Sequence, residues 1–392
     1  MKQVSLLILL VSFLASCQSP KEKAKEENKF DWNAGISAPK NYPSAPFVEY
    51  FYKGESIAGT STSIGDDQGW GITMGGYVGG DEFKPVPDSV FVKWRCAVDL
   101  IKYEGGFKLP RQKMLTLFRE GTIDANKKKE DYSLIIAGTA PGGNVTIWMR
   151  AGGRILTELI KFKTKNMGQD DRYAPHTISL WTSTGQEAKD ILTYISLHGV
   201  PYSVWEKGEK EYDYDIGFST EEIDKKDYSI AITGYTKDGS IVYSNEDPIP
   251  RVNWNEKIDL DIKKNKKLPV QFYIQWISRD DQEWYEAQVV LPFDLEEKLL
   301  LFQKKYGKKT FLIVGMDKDL KNKPYTFGRI WLENSKEKKE IMKFRAAKLN
   351  VSKTRKIKYE VSKYSIPKGF VFPKWEGREP LKAPEIEFWQ EK

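Results

Sequence analysis

Few residues in this sequence could do acid–base or metal chemistry, and their spacing narrows what they could do. Asp99 and Glu104 flank a short turn, and Asp281 and Glu286 repeat the pair further along the chain. Two carboxylates held about 5–10 Å apart could act as acid and base in glycoside cleavage. Acids at turn ends also cap and solubilise, and that plainer role is the expectation here. The two histidines, His176 and His198, have no cysteine or histidine at ligand spacing, so no metal site is expected. Neither Gly-x-Ser-x-Gly nor His-Glu-x-x-His occurs. Met74 stands where a dinucleotide fingerprint beginning at Gly69 would need its third glycine. Ser335 and Lys338 fit Ser-x-x-Lys only formally, within a charged turn. No catalytic residue and no cofactor is expected.

The elements that must carry these groups are legible in the patterning. Val90 to Trp94 and Val270 to Trp276 alternate apolar with polar residues, as half-buried strands do. Pro110 and Pro292 suit a first helical turn, where the missing N–H costs nothing, and Gly121 and Gly307 suit C-terminal caps. Between them Met114, Leu117 and Phe118, or Leu295, Leu299 and Phe302, fall on one helical face. Further strands are predicted at Leu134 to Ala137, Val145 to Trp148 and Ile160 to Phe162, matched by Thr310 to Val314, Gly328 to Trp331 and Met342 to Phe344. Hairpin-length gaps and one long helical pattern per unit predict an α+β, β-rich fold: in each unit an antiparallel sheet with one main packed helix.

The matches follow from a tandem repeat. Phe30 falls on Tyr212 at an offset of 182, and at that offset Trp94 meets Trp276, Tyr103 meets Tyr285, and Leu109 and Pro110 meet Leu291 and Pro292. Trp148 meets Trp331 one residue out of step. The repeated aromatics Trp94, Tyr103, Trp148, Trp276, Tyr285 and Trp331 are expected to be structural, because such side chains dominate packing. The glycine-rich 69–80 and the insert 170–194 have no clear counterpart in the second unit. Loops diverge more freely and carry function more often, so a contact surface is expected there, with Trp70, Tyr77 and Asp81 as its candidates.

The N-terminus points to export. Residues 1–16 hold one cation, Lys2, and an apolar run from Val4 to about Leu14, shorter than the roughly 20 residues a membrane span needs and arranged as a signal peptide. Leu14, Ala15, Ser16 and Cys17 resemble the lipobox of bacterial lipoproteins. That resemblance implies a diacylglycerol on the Cys17 thiol and a chain held to the membrane by its N-terminal lipid. Residues 17–28 are charged and lack an apolar face, so they are expected to be a flexible tether. Repeat one then covers 29–208 and repeat two 209–392, with Glu206 to Glu211 as the junction. The roughly 360 residues after the tether suffice for two domains. With Cys17 acylated, Cys96 stands alone and is expected to be a buried small hydrophobe. The net charge of +7 sits partly in clusters such as Lys263, Lys264, Lys266 and Lys267. Interleaved acids make these a solvated surface, and no nucleic-acid partner is expected.

Asn33 to Pro43, the glycine-rich 69–80, Pro85 to Asp88, the Trp94 strand and Leu109-Pro110 together resemble the DUF2931 family. The resemblance covers the first repeat well and the second only from Pro269 to Phe344. It implies a bacterial envelope lipoprotein, with many examples from the Bacteroidetes, and some relatives act as immunity proteins against secreted phospholipase toxins. The expectation is therefore a non-enzymatic lipoprotein of the cell envelope, at the outer membrane, that binds a protein partner. A carbohydrate-binding or glycan-processing lipoprotein is the alternative.

Overall fold

The computed structural model describes residues 19–61, 69–73, 81–124, 127–152, 155–170, 191–192, 194–195, 198, 199–219, 228–245, 265–278, 284–316 and 325–349. Cys17, Tyr77, His176 and Asp281 lie outside the described residues, as do the side chains of Trp276, Tyr285 and Glu286.

In the first unit β1 (Asn33–Ser37), β2 (Ser44–Tyr52), β3 (Glu55–Ser61), β4 (Ser89–Cys96), β5 (Ile101–Lys108), β6 (Tyr132–Ala140), β7 (Asn144–Ala151), β8 (Ile155–Lys163) and β9 (Lys165–Gln169) build two sheets. Their orders are β8-β7-β6-β1 and β9-β5-β4-β2-β3. Alternation sets the faces: β4 buries Val90, Val92, Trp94 and Cys96 and turns Lys93 to solvent.

In the second unit β10 (Asp215–Ser219), β11 (Tyr228–Thr236), β12 (Ile241–Asn245), β13 (Pro269–Ser278), β14 (Trp284–Val290), β15 (Phe311–Met316), β16 (Tyr325–Glu333) and β17 (Lys338–Leu349) form one sheet, in the order β10-β15-β16-β17-β14-β13-β11-β12. This is the strand order of the first unit with its two sheets joined. The difference lies at Thr164, which separates β8 from β9 by turning aside to bond the Gly143 carbonyl through both its N–H and its hydroxyl, each at 2.8 Å. In the second unit the long β17 runs through that point unbroken.

The finer detail is also shared. A ladder irregularity falls between Ile147 and Trp148 in one unit and between Ile330 and Trp331 in the other. Short ribbons pair Lys29–Asp31 with Phe83–Pro85, and Glu211–Asp213 with Asn265–Lys267. In each ribbon a buried lysine, Lys84 or Lys266, sits 5.8 or 5.9 Å from an aromatic ring, Trp32 or Tyr214. The same ring's polar atom donates to a backbone oxygen, Pro85 at 3.3 Å or Lys267 at 2.8 Å.

The fold is the expected β-rich α+β, and its sheets are antiparallel apart from one described ladder in each unit, β1 beside β6 and β10 beside β15, which run parallel. A parallel neighbour needs a long crossover, and β2 to β5 with the following helix supply it in the first unit. One expectation needs correction, that of the tether. Helix α1 (Pro20–Glu26) forms inside it, capped by Ser19 and Glu22 in a reciprocal capping box. Lys21 pairs with Asp131 at 3.0 Å, Lys25 donates to the Arg119 carbonyl at 3.0 Å, and Ala24 is buried. Charge alone made the segment look unstructured, but its charges have partners on the body.

Helix α2 (Arg111–Glu120) starts after Pro110 and ends at Gly121, burying Met114, Leu115 and Phe118, with Leu117 partly covered. After the short α3 (Tyr202–Lys207) comes α4 (Leu295–Tyr306), which begins three residues beyond Pro292, ends at Gly307 and buries Leu295, Leu299 and Phe302. One core runs from Phe30 to Trp205 and a second from Tyr212 to Phe344.

Candidate functional site

Of the repeated acids, Asp99 and Glu104 have described side chains, and each meets partners of its own. The Asp99 carboxylate accepts hydrogen bonds from the hydroxyls of Tyr103 (2.8 Å) and Tyr202 (2.6 Å) and from Gly142 N–H (2.6 Å). It ties the β4–β5 turn to the β6–β7 turn and to α3. Glu104 lies within β5 between Lys93 and Lys165 of the adjacent strands, where opposite charges face across a ladder.

The described repeated aromatics are core residues. Trp94 (2% exposed) stacks on Tyr103 at 4.5 Å, and Trp148 and Trp331 are each 5% exposed. Cys96 is buried, and burial pushes its thiol well above the ordinary range, the state of an inert rather than reactive cysteine.

Among the contact candidates, Asp81 is exposed. Trp70 is not on the surface: it is 7% exposed, lies edge-on against Trp148 at 4.8 Å, and donates its backbone N–H to Gly239 O in the second unit at 2.7 Å. The unrepeated segment thus joins the two units at Trp70. His198, just beyond the other unrepeated stretch, does likewise. Its buried ring stacks between Tyr194 (4.3 Å) and Phe293 of the second unit (5.3 Å), with Nδ1 2.9 Å from the Tyr194 carbonyl.

Trp70 leads to the turn Thr236–Ser240 between β11 and β12. A Lys-Asp-Gly-Ser sequence is a strong turn former. Gly239 takes φ +77°, and a Cβ there would stand 2.6 Å from Lys40 N, so no other residue fits. Its carbonyl accepts from Trp70 and, at 3.2 Å, from Lys40 N–H, while the Asp238 carbonyl accepts from Trp205 Nε1 at 2.9 Å. The buried Asp238 carboxylate binds Lys267 Nζ, Thr236 Oγ1 (2.7 Å) and Ser240 N–H (3.0 Å). Burial works to raise its pKa, but the Lys267 charge and these hydrogen bonds outweigh burial and leave it below the usual carboxylate value.

Glu209, on the linker between the cores, approaches the same turn from outside. Its carboxylate accepts from Asp238 N–H at 3.0 Å and Lys237 N–H at 3.4 Å. Burial, reinforced by the negative charge of Asp238, pushes it up to about 7. Two acids that meet at one turn thus have their pKa values pushed in opposite directions, an arrangement that marks functional-site candidates.

Glu209 lies in a cleft of about 320 Å³ bounded by both units. Leu268, Val270 and Phe293 make its apolar wall, and Lys210, Lys237 and Glu296 its charged edge. Lys210 pairs with Glu296 at 2.9 Å and lies 4.7 Å from the Tyr212 ring centre. The site offers one carboxyl that changes charge near neutrality, beside apolar surface and fixed charges. Among the described residues, no group of histidine, cysteine and acidic side chains could hold a metal.

Sequence reasoning missed Glu209, Asp238 and Lys267. The Asp-Gly turn was readable, but that it docks into the first unit was not. Lys84 and Lys266 were findable, since they fall at the offset of 182.

Residues 18–203 match the family model described as a protein of unknown function, DUF2931. No curated protein matches the chain. No helix among the described residues is long and apolar enough to cross a membrane.

Proposed function

Because residues 18–203 belong to the DUF2931 family, whose description assigns no activity, we propose that this chain is a membrane-anchored, non-enzymatic binding protein of the cell envelope. It holds a protein partner at the cleft between its two units. The anchor is a lipid on Cys17, supported by the apolar Val4 to Leu14 and the lipobox-like residues that follow, and the outer membrane is its site. The second unit is a diverged copy of the first, supported by the offset of 182 and the common strand order.

The observation that carries the binding role is the cleft itself. An apolar wall of Leu268, Val270 and Phe293 meets a charged edge of Lys210, Lys237 and Glu296, and apolar centres with polar rims are what partner side chains fill. Immunity against a secreted lipase toxin is the specific form that the family resemblance favours. A glycan ligand would instead call for exposed aromatic platforms, and Trp94, Trp148 and Trp331 are buried.

The test is capture from the native envelope with the lipidated full chain, alongside Phe293→Ala and Glu296→Lys chains. The reading expects one protein that copurifies, rebinds when purified, and is lost from both variants at unchanged melting temperature. A partner kept by both variants, or a glycan recovered instead of a protein, sinks it.

A further inference from the structure

A second cleft, of about 460 Å³, opens beside α1, lined by Ser19, Lys25, Phe30, Phe83, Phe118 and Tyr132 among others. Its floor is aromatic: Phe30 and Phe118 stack at 4.9 Å and are nearly buried, and Phe83 is half-buried. At the rim Lys21, Lys25 and Lys29 are matched by Asp31, Glu82 and Asp131. The charges cancel, so an anionic headgroup finds no net attraction there, and the apolar floor is what distinguishes the site.

The chain itself indicates the occupant. Ser19 lines the cleft and is held in place as the cap of α1, and α1 is fastened to the body through Lys21, Ala24 and Lys25. Cys17 is two residues away, a reach of at most ~7 Å. We infer that this cleft shelters an acyl chain of the chain's own Cys17 lipid whenever the anchor is out of the bilayer. The inference rests on the proposed lipidation of Cys17. Bilayer hydrocarbon is as apolar as the phenylalanine floor, so nothing draws the acyl chain inward while the protein is on a membrane. In water the balance reverses, because inserting the chain removes apolar surface from solvent on both sides.

The test uses the full lipidated protein from cells fed a fatty acid with a terminal photo-crosslinker. After detergent removal, irradiation in water should crosslink the acyl chain to peptides containing Phe83, Phe118 or Tyr132, and transfer to phospholipid vesicles should remove those crosslinks. Phe83→Arg should lose them at unchanged melting temperature, with Phe83→Ala as the second variant if the first folds poorly. Crosslinks in water that map elsewhere on the body, or between chains, overturn the inference. A wild-type chain that takes up no label overturns the lipidation reading instead, and the Cys17→Ser chain supplies that baseline.

Discussion

The backbone N–H of Asp238 donates to the Glu209 carboxylate at 3.0 Å, while the side chain of the same Asp238 binds Lys267. One residue thereby connects an acid held ionised to an acid raised to about 7, at the point where the second unit meets the linker from the first.

Glu209 should make stability fall as pH rises toward neutrality. Its folded pKa of about 7 lies above the ordinary 4.5. Its contribution is therefore complete below about pH 4.5, shrinks above it, and is gone once pH passes through 7. Over that window the loss is at most about 3 kcal/mol, at 1.36 kcal/mol per pH unit. Glu209→Gln keeps an oxygen for the shorter of the two hydrogen bonds, from Asp238 N–H, gives up the longer one from Lys237 N–H, and removes the titrating group, so it should flatten that slope. Parallel melting curves for the two chains between pH 5 and 8 would refute the assignment.

Gly239 and Gly54 both have positive φ, but only one has neighbours. A Cβ at Gly239 would stand 2.6 Å from Lys40 N, whereas nothing lies within 4 Å of one at Gly54. Gly54→Ala should therefore cost only the left-handed strain of about 1–2 kcal/mol. Gly239→Ala should cost clearly more and should also expose the linker to protease. Equal losses in urea unfolding would mean that the seam does not depend on this turn.

Trp94→Ala and Trp331→Ala should each cost about 3–5 kcal/mol, as for other buried large-to-small changes. Trp94→Phe should cost much less, because the Trp94 indole N–H is buried without a partner and leaving out an unsatisfied donor offsets lost contacts. A loss below about 1 kcal/mol for either alanine variant would contradict their place in the core.

Replacing Cys17 with serine should abolish acyl labelling and leave an unprocessed precursor, since the thiol is the acceptor in the proposed anchoring. Continued labelling of Cys17→Ser would remove lipidation from the account altogether.

Much of the fold was legible because its signals are local. The strand through Trp94 is written in alternation between neighbours, and α2 and α4 end at Gly121 and Gly307 because a left-handed residue there suits glycine. The offset from Phe30 to Tyr212 carried over even to the buried lysines, since a ribbon and its ring recur wherever the same short pattern does. The candidate site was not legible in this way. Trp70 read as a surface residue in a glycine-rich loop, yet it is buried because Gly239, far along the chain, accepts its N–H. Residues 17–28 read as a tether, yet α1 forms because Asp131 and the Arg119 carbonyl wait for its lysines. Glu209 looked like one more charged linker residue. Its proton affinity is set by burial against Asp238 and Lys267, and burial belongs to no segment of sequence, because it exists only when distant segments exclude water together.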